Sequence, residues 1–213
     1  MDLSYRERPA DDEPAGLLVL HHGRGSDELD MLGLGEALDP MRRLHLLLPR
    51  APLALPGAPG WHWYVVPRVG YPDPDTFAAS VSELAELYDS AWERTGISAA
   101  KTVLGGFSQG AVMSYASALS AARPAPAGLL ALSGFIPTVE GWQPDFAGRQ
   151  ALRAFVAHGR ADPVISVEYG RAARDALLGG GIEVDYHESD GGHEIDRGTL
   201  DAASAWLAGL LSR

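Results

Sequence analysis

The chain has 213 residues, of which 46% are hydrophobic, and this is enough for the core of one α/β domain. Its formal net charge of −11 argues against binding to nucleic acid or to an anionic membrane surface, because both need a basic patch. The chain has no cysteine, which excludes disulfides, thiolate metal ligands and a cysteine nucleophile.

The first eight residues contain no apolar stretch of the kind found in a secretory signal peptide. Elsewhere, no uncharged apolar run is long enough to cross a bilayer. We therefore expect a cytoplasmic protein with no stable insertion into a membrane.

The first half of the chain predicts strands alternating with helices. Residues 3–8 predict an edge strand, and the apolar runs at 17–20 and 44–48 predict strands buried on both faces, as in a parallel sheet. Residues 28–38 predict a helix with apolar side chains at positions 29, 32, 34 and 38, despite Gly33 and Gly35. Residues 49–75 are irregular and rich in proline. Residues 76–95 predict the most regular helix, which Gly96 ends.

The second half continues the alternation. It predicts strands at 102–107, 129–132, 152–157 and 182–186, and helices from 109 to about 122, at 166–178 and at 197–211. Such alternation indicates a mostly parallel central sheet with helices on both faces. No repeat or linker divides the chain, and the segment between Ser133 and Leu152 is too short for a cap domain. We predict a single α/β domain over residues 1–213.

The stretch Gly105-Gly106-Phe107-Ser108-Gln109-Gly110 joins a predicted strand to a predicted helix. The pattern G-x-S-x-G at such a turn is typical of the nucleophile elbow of serine hydrolases. A Cβ at either flanking glycine of this pattern would crowd so sharp a turn. The helix that follows directs free N–H groups and its positive dipole end toward Ser108. We predict that Ser108 is a nucleophile; the alternative is a plain turn between strand and helix.

Three other predicted strand ends carry polar residues suited to acyl transfer: residues 22–25, Asp162 and His193. In an open α/β sheet the active site lies at the carboxyl ends of the strands, and the chain order Ser…Asp…His is that of α/β-hydrolases. His193 would act as base and then as acid, and Asp162 would orient its imidazole. The backbone N–H groups of Arg24 and Gln109 would form the oxyanion hole, so the side chains of these two residues are not chemically required.

Other residues compete for these roles. The rivals that also follow Ser108 are His158, His187, Asp185 and Asp190. We expect both histidines to be structural, because they lie at predicted strand ends, and His21, His45 and His62 to be packed or solvated. His21 and His22 point to opposite sides of a strand and no H-E-x-x-H spacing occurs, so no metal site is predicted.

The chain resembles the phospholipase/carboxylesterase family of α/β-hydrolases, which includes the acyl-protein thioesterases. The segments that carry the resemblance run from residue 17 to residue 196 and are LVLHHGRGSDE, GGFSQGAVMSYASAL, LLALSGFIP, VAHGRADPVISV and GGHEID. The resemblance implies a Ser108–Asp162–His193 triad, oxyanion donors at Arg24 and Gln109, and an esterase or thioesterase that needs no cofactor. The chain departs from the family at Val65, where relatives often have an acidic residue.

We expect an open, lidless site that favours an apolar acyl group. The side chains expected at its rim are Trp61, Trp63, Tyr64, Phe135, Val164 and Ile165. For each of them an ordinary core position is the alternative.

The sequence thus predicts a serine carboxylesterase that forms an acyl-enzyme on a small-molecule ester, thioester or lysophospholipid, and a homodimer is considered. Two alternatives stay open: a peptidase or dienelactone-type hydrolase of the same fold, and a non-catalytic binding protein on a hydrolase scaffold.

Overall fold

The apolar runs of the sequence form strands in the computed structural model, which describes residues 3–211. Met1, Asp2, Ser212 and Arg213, which the single-domain prediction includes, lie outside the described residues. The strands are β1 Tyr5–Arg8, β2 Gly16–His21, β3 Leu44–Pro49, β4 Leu53–Ala54, β5 Trp61–His62, β6 Thr102–Phe107, β7 Gly128–Leu132, β8 Arg153–Gly159 and β9 Glu183–Ser189.

Seven of these strands form one sheet in the order β1-β3-β2-β6-β7-β8-β9. All neighbours pair in parallel except β1 and β3, which are antiparallel. The strands β2 and β7 are buried along their whole length, as expected where helices cover both faces. The irregular, proline-rich segment contributes only the short hairpin of β4 and β5.

Five α-helices are present among the described residues: α1 Glu28–Leu38, α2 Pro74–Thr95, α3 Gln109–Ala118, α4 Val167–Gly179 and α5 Arg197–Leu210. Aspartate side chains accept backbone N–H groups at the starts of α1, α2 and α5. Gly96 ends α2 in the left-handed conformation, with φ 70°. None of the helices within residues 3–211 combines the length and the apolar character needed to cross a membrane.

The sheet separates two apolar clusters. Leu17 and Val19 of β2 face the cluster that contains α2, α3 and α4. Leu18 and Leu20 of the same strand face the cluster that contains α1 and α5. Alternate residues of a central strand therefore support opposite helix layers, which confirms the predicted mostly parallel sheet with helices on both faces.

The helix α1 has the predicted bounds, and three of its four predicted apolar positions, Leu32, Leu34 and Leu38, contribute to the apolar cluster on its side of the sheet. Leu29 is exposed, whereas Met31, Gly35 and Leu38 are buried. A Cβ on Gly35 would lie 2.6 Å from Leu46 Cδ1, so glycine allows the helix to approach β3 closely. Gly35 thus has a low helix propensity but allows α1 to pack closely on the sheet.

The helix α3 is shorter than predicted, since it ends at Ala118 rather than near residue 122. The buried guanidinium of Arg149 donates to the carbonyls of Ser120 and Arg123, and the Asp145 N–H donates to Leu119 O at 2.8 Å. Contacts from a distant segment therefore replace the last helical turn. The strands β8 and β9 are longer than predicted because their ladder continues to the pair Gly159 and Ser189.

Candidate active site

The carboxyl ends of β2, β6, β8 and β9 lie at one edge of the sheet, and the predicted site residues follow them. Three of these side chains form a hydrogen-bonded chain. His193 Nε2 lies 2.8 Å from Ser108 Oγ, and His193 Nδ1 lies 2.7 Å from Asp162 Oδ2. An ionised carboxylate only accepts, so Nδ1–H donates to Asp162 and Nε2 is left to accept the Ser108 hydroxyl proton. The imidazole is thereby held in the tautomer that a general base needs.

The turn between β6 and α3 is sharp, and Ser108 adopts φ 55° and ψ −121°, a conformation rare for any residue but glycine. A Cβ on Gly106 would lie 2.6 Å from the Gly110 carbonyl, and one on Gly110 would overlap His21 O. Both glycines are therefore required by close backbone contacts. The strained backbone conformation of Ser108 costs of order 1–3 kcal/mol, and strain of this kind is typical of functional sites.

The Asp162 side chain is fully buried and saturated with donors. Its Oδ1 accepts the N–H groups of Val164 at 2.8 Å and Ile165 at 2.9 Å, while Oδ2 faces His193. Burial raises the pKa of the Asp162 carboxyl, but the hydrogen bonds from His193 and the two amides outweigh it and leave the pKa below its ordinary value. Asp162 is therefore an anion at neutral pH.

His193 is half-buried in a loop after β9. One side of its imidazole packs on the Phe107 ring, with centroids 4.9 Å apart. The loop lies against the end of β8, where Ala161 N–H donates to Gly191 O at 3.0 Å. A Cβ on Gly159 would overlap Gly192 O, so that glycine permits the approach. A ring contact and backbone contacts to β8 thus place the imidazole over Ser108.

Residues 22–25 pass directly beside Ser108. A Cβ on Gly23 would lie 3.5 Å from Ser108 Cβ. His22 holds this loop, since its Nδ1–H donates to Gly23 O at 2.8 Å and its Nε2 accepts the Ala51 N–H at 3.0 Å.

Arg24 follows Gly23 in this loop, and Gln109 follows Ser108 in the chain. Gln109 is the first residue of α3, where backbone N–H groups have no partner within the helix. Over the described part of the chain, neither the Arg24 N–H group nor the Gln109 N–H group has a protein acceptor. Both N–H groups are therefore free to donate to a substrate, and their role as oxyanion donors stays a prediction.

The Gln109 side chain has a structural role that the sequence did not reveal. It is buried, its Oε1 accepts the Trp63 N–H at 2.8 Å, and its Nε2 donates to Tyr64 O at 2.8 Å. The Trp63 indole in turn donates to His22 O at 2.9 Å. This side chain therefore ties the segment before α2, and through it the His22 loop, to the elbow.

Two of the residues expected at the rim lie in the core. Trp63 and Tyr64 belong to the core beneath the site, where Trp63 packs against both His21 and His22 and Tyr64 packs against Phe77. Their rings are buried because the two hydrogen bonds of the Gln109 side chain hold their backbone against α3.

The other four rim candidates differ in exposure. Phe135 and Ile165 are also buried, Trp61 is half-buried beneath the Arg50 guanidinium, and Val164 is 54% exposed. Contact of these four with a substrate stays a prediction.

Three of the four rival residues, His187, Asp185 and Asp190, lie away from Ser108, whereas His158 lies beside Asp162. His187 bonds Asp185 at 2.8 Å on the edge strand β9, and the exposed Asp190 pairs with Arg160. His21 is buried between Gly105 O and Tyr88 OH, and burial lowers its pKa to about 3. Between residues 3 and 211, no group of three or more metal-ligating side chains is placed to hold an ion.

The α/β-hydrolase class is defined by a serine at a strand-to-helix elbow that is hydrogen-bonded to a histidine, which is in turn hydrogen-bonded to an aspartate. Here the histidine and the aspartate follow later strands of a mostly parallel sheet. Comparison with known proteins agrees. The chain matches the Phospholipase/Carboxylesterase family over residues 8–211.

Three relatives illustrate the match. Esterase YpfH of Escherichia coli (strain K12) is 30% identical over 200 residues, which cover 90% of this chain and 82% of that protein. Acyl-protein thioesterase 1 of Yarrowia lipolytica (strain CLIB 122 / E 150) is 27% identical over 202 residues, which cover 86% of each. The crystal structure of the Bacillus cereus carboxylesterase has a TM-score of 0.85 and 25% identity, over 98% of this chain and 94% of that one.

The chain belongs to the phospholipase/carboxylesterase family of α/β-hydrolases. It is a hydrolase of the esterase and thioesterase kind. The resemblance, the fold class and the enzyme class expected from the sequence are thereby confirmed.

Proposed function

We propose that the protein is a serine carboxylesterase that hydrolyses carboxylic esters through an acyl-enzyme on Ser108. The observation that carries the proposal is the continuous chain from Ser108 Oγ through His193 to Asp162, with both hydrogen bonds shorter than 3 Å. A hydroxyl is a weak nucleophile until a base removes its proton, and this chain supplies that base already oriented.

Acylation begins as Ser108 Oγ attacks the ester carbonyl carbon and its proton passes to His193 Nε2. The buried, ionised Asp162 stabilises the resulting imidazolium without taking a proton itself. When the tetrahedral intermediate collapses, the bond to the leaving oxygen or sulfur breaks and His193 returns the proton to that atom. Water then repeats the sequence on the acyl-serine, which releases the acid and the free enzyme.

The negative charge of each tetrahedral intermediate falls on the former carbonyl oxygen, which the backbone N–H groups of Arg24 and Gln109 stabilise. Loss of one such donor typically costs about 10²–10³ in rate. The donors belong to the backbone, and the His22, Trp63 and Gln109 contacts keep them in place. Hydrogen-bond donors that are already in position lower the activation barrier more than donors that must first rearrange.

The substrate class we propose is a small ester with an apolar acyl group, with thioesters as a second candidate. An esterase and an acyl-protein thioesterase are both among the relatives. Val164 and Ile165 follow Asp162 after Pro163 and donate their backbone N–H groups to it, so two apolar residues adjoin the acid. The family match disfavours the peptidase and the non-catalytic binding protein.

Hydrolysis of p-nitrophenyl esters from acetyl to dodecanoyl tests this proposal, with Ser108→Ala as the variant. We expect kcat/KM to fall by about 10⁴ or more in Ser108→Ala. The matched control is Ser82→Ala, an exposed serine on α2, which should behave as wild type. Activity retained in Ser108→Ala would refute the nucleophile, and preference for acetyl over octanoyl would refute the apolar acyl site.

Three remaining expectations are also proposals: one domain over residues 1–213, a cytoplasmic location and a homodimer. Size-exclusion chromatography with light scattering measures the last of them. A mass near 45 kDa, about twice the 22.6 kDa of one chain, would support the dimer, and 22.6 kDa would contradict it.

A further inference from the structure

His158 lies beside the acid of the triad but takes no part in the proposed chemistry. It is the penultimate residue of β8, and its side chain is fully buried, as is that of Asp162. Its Nε2 lies 3.4 Å from Asp162 Oδ2, the same oxygen that accepts from His193 at 2.7 Å. Two imidazoles therefore meet one carboxylate oxygen.

The tautomer of His158 is fixed by its surroundings. Its Nε2 lies 2.8 Å from Ile165 O, and a carbonyl oxygen only accepts, so the proton is on Nε2. Its Nδ1 is buried and has no partner among the described residues, and a Cβ on Gly170 of α4 would lie 2.8 Å from it. Burial lowers the pKa of His158, so the ring is neutral at neutral pH.

The Nε2–H group of His158 thus has two neighbours in one short turn. It donates to Ile165 O, and Ile165 N–H donates to Asp162 Oδ1 at 2.9 Å. The same N–H dipole lies close enough to Asp162 Oδ2 to compensate part of its negative charge. Charged or titratable groups around His158 are Asp162, His193 and Glu188 of β9, the last paired with Arg160 and Arg171.

We propose that His158 is a positioning residue that acts through Asp162. Its Nε2–H group holds the turn from Asp162 to Ile165 and limits how strongly the carboxylate attracts a proton onto His193. The role rests on the proposed function, because it matters only if His193 is the base. A residue that merely filled space behind Asp162 would affect stability but not the pH dependence of the reaction.

Removal of the N–H dipole should change the reaction in two ways. The uncompensated carboxylate favours the imidazolium form of His193, so the acidic limb of kcat/KM moves to higher pH, by about half a unit. The looser turn orients the imidazole less well, so kcat falls roughly tenfold while KM changes little.

The test is the pH profile of p-nitrophenyl butyrate hydrolysis in wild type, His158→Leu and His158→Gln. His158→Leu should show the shifted limb and the lower kcat. In His158→Gln, an amide N–H reaches the position of Nε2 and should restore both. His187→Gln is the matched control, because this half-buried histidine of β9 pairs with Asp185 and not with Asp162, and it should leave the profile unchanged.

A folded His158→Leu with the wild-type acidic limb would overturn the proposal, as would equal shifts in the Leu and Gln variants. If the Leu variant does not fold, His158→Asn takes its place, because its shorter amide cannot reach Ile165 O. Ser108→Ala, assayed in parallel, separates the two hypotheses. If Ser108→Ala stays active, the proposed function fails. If Ser108→Ala is inactive and His158→Leu keeps the wild-type acidic limb, only the role of His158 is refuted.

Discussion

The proposed nucleophile, Ser108, and the proposed base, His193, are held in place by different forces. Ser108 lies between a central buried strand and a fully buried helix, and backbone contacts of Gly106 and Gly110 fix its turn. His193 lies after the edge strand β9, in a loop held by a ring contact, backbone hydrogen bonds and surface ion pairs. Packing therefore fixes the nucleophile, whereas the position of the base depends partly on charge.

The ion pairs near the loop that carries His193 are centred on Glu188. Arg171 donates to it twice, at 2.8 Å and 2.9 Å, and Arg160 once, at 3.0 Å. The Arg171 hydrogen bonds, with smaller contributions from Tyr186 and Arg160, lower the pKa of Glu188 to about 2 despite its burial. Arg160 also pairs with Asp190, three residues before His193, and so links the charge cluster to the loop of the base.

The largest effect is expected from a single methyl group at the elbow. Gly110→Ala would place a Cβ into His21 O, so we expect the free energy of unfolding to fall by about 3 kcal/mol or more and activity to be lost. Gly33→Ala is the matched control, because nothing lies within 4 Å of its Cβ position on α1, and it should stabilise by up to about 1 kcal/mol. Urea denaturation measures both, and a Gly110→Ala variant as stable as wild type would show that the elbow is not fixed by packing.

A smaller loss of stability is expected at acidic pH, and it arises first from His21, which lies beside the Ser108 elbow. His21 is neutral in the fold, with a pKa of about 3, against 6.5 in the unfolded chain. Between these values the unfolded chain binds a proton that the folded chain does not, so stability is complete above pH 6.5 and falls as the pH is lowered toward 3, by at most about 1.4 kcal/mol per pH unit for this group.

Urea unfolding of wild type and His21→Asn at pH 7 and pH 5.5 checks this. The asparagine amide can still donate to Gly105 O but does not titrate, so the drop in stability between the two pH values should be smaller in the variant. An equal drop in both proteins would show that His21 does not contribute. Glu188, by contrast, contributes stability that is complete above pH 4.5 and is lost only as the pH falls through about 2.

The smallest effect on stability is expected from the charges near the base. Arg160→Ala removes the ion pairs to Asp190 and Glu188, which are partly exposed, so the free energy of unfolding should change by less than about 1 kcal/mol. Activity should fall a few-fold, because the loop that carries His193 is less well held. Arg197→Ala, an exposed arginine near Asp201, is the control. If Arg160→Ala kept full activity, packing alone would place the base.

Local patterns were enough to predict most of the fold. The helix predicted over residues 76–95 spans Pro74–Thr95, because its apolar stripe and the glycine that ends it, Gly96, depend on neighbours in sequence. The elbow was predicted for the same reason: the two glycines and Ser108 lie in one five-residue pattern. The order of the strand ends then predicted which distant side chains meet, and Asp162 and His193 do meet Ser108.

What the sequence did not show depends on contacts between distant residues. The end of α3 is set by Arg149, some thirty residues away, and the burial of Trp63 and Tyr64 is set by Gln109, more than forty residues away. In the sequence, an aromatic residue near a site fits a position at the rim as well as one in the core. The Gln109 hydrogen bonds to Trp63 and Tyr64 decide between the two, and the sequence does not show them. His158 was expected to be structural, and its contact with Asp162 could not be foreseen from spacing alone.

The most direct test of the account is to locate the nucleophile chemically. Wild-type protein is treated with a fluorophosphonate, and the adduct is mapped by mass spectrometry of its peptides. We predict one adduct, on Ser108, that forms much more slowly in His193→Gln and is absent in Ser108→Ala. An adduct on another residue, or none on the folded wild-type protein, would contradict the assignment of Ser108 as the nucleophile.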